Sequence, residues 1–219
     1  MTDTSAALVR LDNVSPPPFR ARMSTSRSGG AAAVGEDRTR IEYAAADRWK
    51  VTDGDRVTLR NGARVWTVLP DRVFIQRADR VAPPFLVLLW SSYRSKDYRV
   101  DGLEAVELDD GRPGWLAAVS YHSGATTAQL ELLVDQGSGL LRHRKESAAT
   151  GASAVEVALD AVDYAPVFDD HAFEPVIASA AQVFDECDAA DPGAARRILI
   201  GLVARAAIRW NRIRHPERR

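Results

Sequence analysis

From Thr39 to Phe173 apolar and polar residues exchange places at a period of two, in short runs closed by Gly, Asp, Asn or Pro. RIEYAA, RWKVT, RVTLRN, ARVWTVLP, RVFIQRA, WLAAVSYHS, AQLELLVD, LLRHRKES and AVEVALDAVDY all show it. Successive side chains of a strand point to opposite faces, so each run reads as a strand with one buried and one wet face. Asp53-Gly54, Asn61-Gly62 and Asp110-Gly111 supply the positive φ that tight hairpins demand. The runs follow one another too closely for parallel crossovers, which need about a dozen residues or more. The fold class that follows is mainly β (α+β), an up-and-down antiparallel sheet. Its apolar face must close on itself, take a cover, or hold an apolar guest.

The rest of the chain divides around that sheet. Residues 1–18 read as a flexible N-terminus, drawn out at the end by Ser15-Pro16-Pro17-Pro18. Residues 19–175 form the sheet domain, with FRARMSTSRS (residues 19–28) as its first strand. Ala82-Pro83-Pro84 introduces FLVLLW, which is continuously apolar and predicts a short helix or ordered loop inserted between strands. Residues 176–219 read as C-terminal helices packed on or beside the sheet. VIASAAQVFDECDAA is Ala-rich after Pro175, and Asp191-Pro192 opens a second helix. In that last helix Leu199, Leu202, Val203, Ala206, Trp210 and Ile213 share a side opposite Arg197, Arg205 and Arg212.

Several function classes fall away on composition. The 29 basic and 30 acidic residues nearly cancel, which excludes a typical nucleic-acid binder. Cys187 is the single cysteine, so neither an intramolecular disulfide nor a thiolate metal cage is open to the chain. No stretch approaches the roughly 20 apolar residues of a membrane span, and the N-terminus reads as no export signal. The expectation is a cytoplasmic protein without integral membrane contact.

No catalytic constellation emerges. His122, His143, His171 and His215 are scattered, and neither H-x-x-x-H, G-x-S-x-G nor a phosphate loop occurs. Asp169-Asp170-His171 with Glu174 reads as a solvated turn rather than a metal site. Arg142-His143-Arg144-Lys145 reads as a solvated strand end. The chain is expected to be no enzyme and to carry neither metal nor cofactor.

Local patterns then resemble the lipoprotein-sorting (LolA-like) superfamily, including its actinobacterial branch. Ala46-Asp47-Arg48-Trp49-Lys50-Val51 is similar to a Trp-bearing strand of that family. Leu59 to Trp66 (LRNGARVW) resembles its Gly-turn hairpin ending in Trp, with Asn61 for the usual aspartate. LEAV (103–106) and GWLAAV (114–119) resemble its middle strands. LLVDQGSGLL (132–141) resembles a further hairpin, with Ser138 for threonine, and Asp163-Tyr164 followed by Phe173-Glu174-Pro175 resembles the closing strand and stop. The resemblance covers roughly residues 19–175. It implies a curved antiparallel half-barrel with helices over an apolar concave side. Members bind lipid-like or lipoprotein ligands there, or act as sensing modules for anti-sigma partners, and are usually exported.

With one side of the sheet taken as inward, the ligand-binding candidates are Trp66, Val68, Phe74, Val119, Tyr121, Leu130, Leu132, Val134, Val157 and Leu159. Phe85, Leu89 and Trp90 would form a cover. The same residues would equally fill a plain core, and a one-residue slip would reverse every inward assignment. Two functions follow. One is a non-catalytic carrier or sensor of a lipid or other hydrophobic small molecule. The alternative is a module that docks a protein partner or membrane surface through a sheet edge or the basic C-terminal helix.

Overall fold

The computed structural model describes residues 4–28, 39–95, 97–123, 126–148 and 154–187. Helix α1 (Thr4–Asp12) precedes six strands: β1 (Phe19–Ser28), β2 (Thr39–Ala45), β3 (Arg48–Asp53), β4 (Arg56–Asn61), β5 (Arg64–Val68) and β6 (Arg72–Arg77). A connection with three short 3-10 turns (Ala78–Arg80, Leu86–Leu88, Trp90–Tyr93) follows. Then come β7 (Tyr98–Glu107), β8 (Pro113–Ser123), β9 (Thr126–Asp135), β10 (Leu141–Ala148), β11 (Ala154–Asp163) and β12 (Gln182–Asp185).

All twelve strands join one open, curved sheet in the order β12-β6-β5-β4-β3-β2-β1-β11-β10-β9-β8-β7. Two antiparallel meanders, β1–β6 and β7–β11, meet where β1 pairs with β11. This is the mainly β antiparallel sheet that the alternation predicts, in the curved half-barrel form that the resemblance implies. Hairpin turns fall at the expected glycines: Gly54 and Gly62 sit at φ 55° and 63°, a region L side chains rarely adopt.

The topology dictates what covers the sheet. β6 lies next to one edge and β7 is the other edge, so the connection between them must cross a whole face. It crosses the inner one, where Phe85 and Leu88 join one apolar cluster and Trp90 and Tyr93 another. The connection is pinned midway by the Leu89–Leu140 bridge and by Trp90 N–H donating to Gly139 O at 3.0 Å. The inserted element is thus a string of 3-10 turns laid across the inner face.

A second connection crosses the outer face. After β11 the chain passes over β1–β3, where Arg20 and Lys50 donate to the carbonyls of Val167 and Ala172. Arg20 stacks on Phe168 and Arg48 on Phe173, each 5.3 Å from the ring centroid. This strap delivers β12 to the edge of β6, the one parallel pairing among the described strands.

Two expectations change. Thr4–Asp12, expected to be flexible, is helix α1, and Ala7 and Leu11 are buried against the inner face. The Ala-rich segment after Pro175, expected to be helical, holds β12 and no helix through residue 187. The open edge of β6 offers four residues of backbone pairing, and Phe184 stacks on Phe74 at 5.2 Å. Those tertiary partners outweigh alanine's weak local preference for helix. The helix expected from Pro192 onward lies outside the described residues.

Candidate functional site: the covered inner face

Strand pairing fixes which side chains share the inner face. The row Phe19–Tyr43–Trp49 continues through Arg60 to Val65, and Ala21–Ile41–Val51 runs beside it. In the second meander Val119 faces Leu130, Ala117 faces Leu132, and Trp115 faces Val134. Phe19, Ile41, Trp49, Val65, Ala117, Val119, Leu132 and Val134 are fully buried. Each cross-strand pair of this kind supports the sheet and builds one wall of the interior.

Of the residues expected to face inward, Val119, Leu130, Leu132 and Val134 form one wall with Tyr121 packed at its margin. Val157 and Leu159 belong to the other cluster. Phe85, Leu89 and Trp90 do lie over this face, as a cover. Phe74 pairs with Thr67, shares the parity of Val65, and stacks on Phe184 at the sheet edge, away from both clusters. Trp66 and Val68 lie on the opposite face, because Val65 pairs with Gln76 and Trp66 with Ile75. The expectation that they point inward is corrected by this register. The alternation Val65-Trp66-Thr67-Val68 leaves both parities apolar, so periodicity alone had no means of choosing.

The inner face also buries residues that the periodicity passed over: Phe19, Tyr43, Trp49, Trp115 and Leu141 from the strands, Tyr93 from the connection, and Ala7 with Leu11 from α1. The Trp49-x-Val51 alternation on β3 is the sequence signal that marks its inward parity.

Strand β10 interrupts the apolar wall. Opposite Leu132 and Val157 it places Arg144, and opposite Leu130 and Val155 it places Glu146. The two ion-pair at 2.5 Å, with the Arg144 side chain only 12% exposed. The solvated-strand reading of this segment is therefore wrong for Arg144, and for Arg142, whose side chain is 14% exposed and meets Asp110 at 2.6 Å. Both apolar clusters flank β10, so the pair forms a polar ridge between them. Burial pushes the Tyr93 phenol up to about 12, against the pull of the neighbouring Arg144. The Arg144 guanidinium is held above its ordinary value: burial alone would lower it, and Tyr93 and Glu146 more than offset that.

A cavity of about 140 Å³ remains on the inner face, between Met23, Ile41, Val51, Thr58 and the cover residues Pro84 and Phe85. Ligand pockets usually hold about 300–1,000 Å³, so admitting a larger guest requires the cover to move. Among the described residues no group of three His, Cys, Asp or Glu side chains is placed to hold a metal ion. Also among them, no helix is long and apolar enough to cross a membrane.

Fold and site together define a covered antiparallel half-barrel. No model of a known protein family matches the sequence, and no curated protein does. Among solved structures it is similar to an uncharacterized conserved protein from Thermus thermophilus, at 14% identity over 84% of this chain and 99% of that one, TM-score 0.53. A LolA superfamily protein from Nitrosomonas europaea aligns at 10% identity over 80% of this chain and 99% of that one, TM-score 0.38. The MucA/MucB complex of Pseudomonas aeruginosa aligns at 18% identity over 80% of this chain and 62% of that one, TM-score 0.44. At these identities the likeness is one of fold, and the Thermus structure carries it.

Proposed function

We propose that this protein binds an apolar or lipid-like ligand against the inner face of its half-barrel, without catalysis, and that α1 with the 3-10 connection is the cover that gives way to admit it. The assignment to the LolA-like superfamily and its actinobacterial branch is part of the same reading and rests on the motifs of residues 46–175. The observation that carries the proposal is the nature of the cover. The walls are strands locked in a continuous ladder, whereas a nine-residue helix closes one cluster. An isolated helix that short is marginal in water, so its order depends on the face it covers. A guest that buries comparable area there gains roughly 25 cal/mol per Å² removed from water and replaces what the helix gives up.

Native mass spectrometry of the full chain incubated with palmitate tests this. The expected result is a 1:1 complex that survives desalting and is strengthened by Leu11→Ala, which weakens the seat of α1. A chain that stays ligand-free at every palmitate concentration contradicts the proposal.

A further inference from the structure

The two ends of the sheet are unequal. One closes on the four-residue β12; the other is the ten-residue β7, whose outer edge pairs with no described strand. A long edge presents a row of free N–H and C=O groups, and proteins ordinarily blunt it with charged side chains (lysine above all), proline, bulges or shortness. β7 (YRVDGLEAVE) has neither lysine nor proline, and its one irregularity, between Val100 and Gly102, leaves residues 102–107 regular.

Directly behind that edge, on the outer face, lies a groove of about 500 Å³, larger than the inner cavity. Gly102, Leu116 and Ala118 form its floor, and Glu104, Gln129 and Glu131 stand around it. The floor is open because Gly102 pairs with Ala118 and Ala118 with Glu131, so small side chains lie between the edge and the carboxylates. Lys145, the one basic residue lining the groove among the described residues, stands opposite Glu131 and reaches Glu156 at 3.7 Å. Glu104 and Glu131 are exposed and make no ion pair among the described residues. On β7 itself Arg99 is held by Asp101 at 2.7 Å, which leaves Glu104 and Glu107 to set the sign of the edge.

We propose that the β7 edge and this groove are a docking site for an extended basic segment of a partner protein. The segment adds a strand to β7 through main-chain hydrogen bonds and seats alternate Lys or Arg side chains against Glu104 and Glu131. Strand addition supplies affinity through the backbone and specificity through every second side chain. The groove's size suits such side chains, and its two carboxylates against one lysine disfavour anionic lipid and nucleic acid. The site is separate from the covered inner face and stands whether or not that face binds a ligand.

The test is fluorescence anisotropy at physiological salt, where weak surface electrostatics are screened. The probes are a labelled decapeptide of alternating Arg and Val, its Glu-for-Arg counterpart, and the basic peptide N-methylated at alternate amides. The full chain is expected to bind the basic peptide and neither of the others. Glu104→Lys with Glu131→Lys, both exposed positions, is expected to weaken binding about tenfold or more, with an unchanged thermal midpoint. Glu104→Gln with Glu131→Gln provides a milder version should the reversal disturb folding. Absence of binding, equal binding of the acidic peptide, or indifference to N-methylation or to the carboxylate variants would overturn the proposal. So would a chain that sediments as a dimer with its β7 amides already protected from exchange, which would put a second copy on this edge.

Discussion

The Trp90 indole donates a hydrogen bond of 3.0 Å from Nε1 to the Asp12 carboxylate, joining the last residue of α1 to the connection that crosses the inner face. Arg94 adds an ion pair to the same carboxylate at 3.2 Å and donates to the Asp12 carbonyl at 3.0 Å. The helix is thus fastened to the 3-10 connection, and through it to the β9–β10 turn. Asp12→Ala is expected to cost about 1.5–3 kcal/mol, the usual worth of a hydrogen bond to a charged group. Amide exchange should quicken in α1 while β8 to β10 stay protected; uniform loss of protection would mean that α1 is not a separable element.

Wall and cover should differ in what truncation does. Leu132→Ala empties a fully buried position between two strands that are unable to close in, and is expected to cost about 2–5 kcal/mol in urea unfolding. Leu11→Ala, on a helix free to settle, is expected to lie at or below the low end of that range and to raise uptake of an apolar dye such as N-phenylnaphthylamine. Equal costs with no gain in dye uptake would argue that cover and wall form one rigid core.

The Arg144–Glu146 pair predicts a non-additive response. Removing one partner strands a buried charge, and Arg144→Met alone is expected to cost about 3 kcal/mol. Arg144→Met with Glu146→Leu should recover most of it, since two apolar side chains then continue the wall between the clusters. A double variant as unstable as the single would show that the pair does more than fill its site.

Glu42 is expected to contribute to acid sensitivity. Its carboxylate receives Lys50 at 2.9 Å, Arg40 at 3.1 Å and Arg20 at 3.2 Å on the outer face beneath the strap. Burial would raise its pKa, but the Lys50 hydrogen bond and the three cations outweigh that and leave it below the ordinary 4.5. A folded value below the unfolded one contributes stability that is complete above the unfolded pKa and is lost as pH falls through the folded one. Urea midpoints of the wild type should therefore fall from pH 6 to pH 3 more steeply than those of Glu42→Gln. Parallel curves would remove Glu42 from the acid transition.

The strands were legible because each hairpin carries its own local signal. Thr39–Ala45 to Arg64–Val68 and Pro113–Ser123 to Ala154–Asp163 need little beyond alternation and a turn residue. The parts that were not legible depend on distant partners. β12 is a strand because β6 has an open edge, and α1 is ordered because Ala7 and Leu11 find the second apolar cluster. The inner site was half readable. Leu130-x-Leu132-x-Val134 alternates against Gln129, Glu131 and the partly buried Leu133, whereas Val65-Trp66 gives no parity. Arg144 looked solvated because burying an arginine is costly unless a partner meets it, and Tyr93 comes from a remote turn.

The central claim is that a ligand enters between the walls and the cover, and fluorine resonances of tryptophan report it directly. Trp90 and Trp115 lie in the inner cluster, and Trp66 lies on the outer face. With 5-fluorotryptophan in the full chain, titration with palmitate is predicted to move the Trp90 and Trp115 resonances to saturation at one equivalent while that of Trp66 stays in place. A shift of Trp66 alone, or no shift of Trp90 and Trp115 up to saturating palmitate, would contradict it.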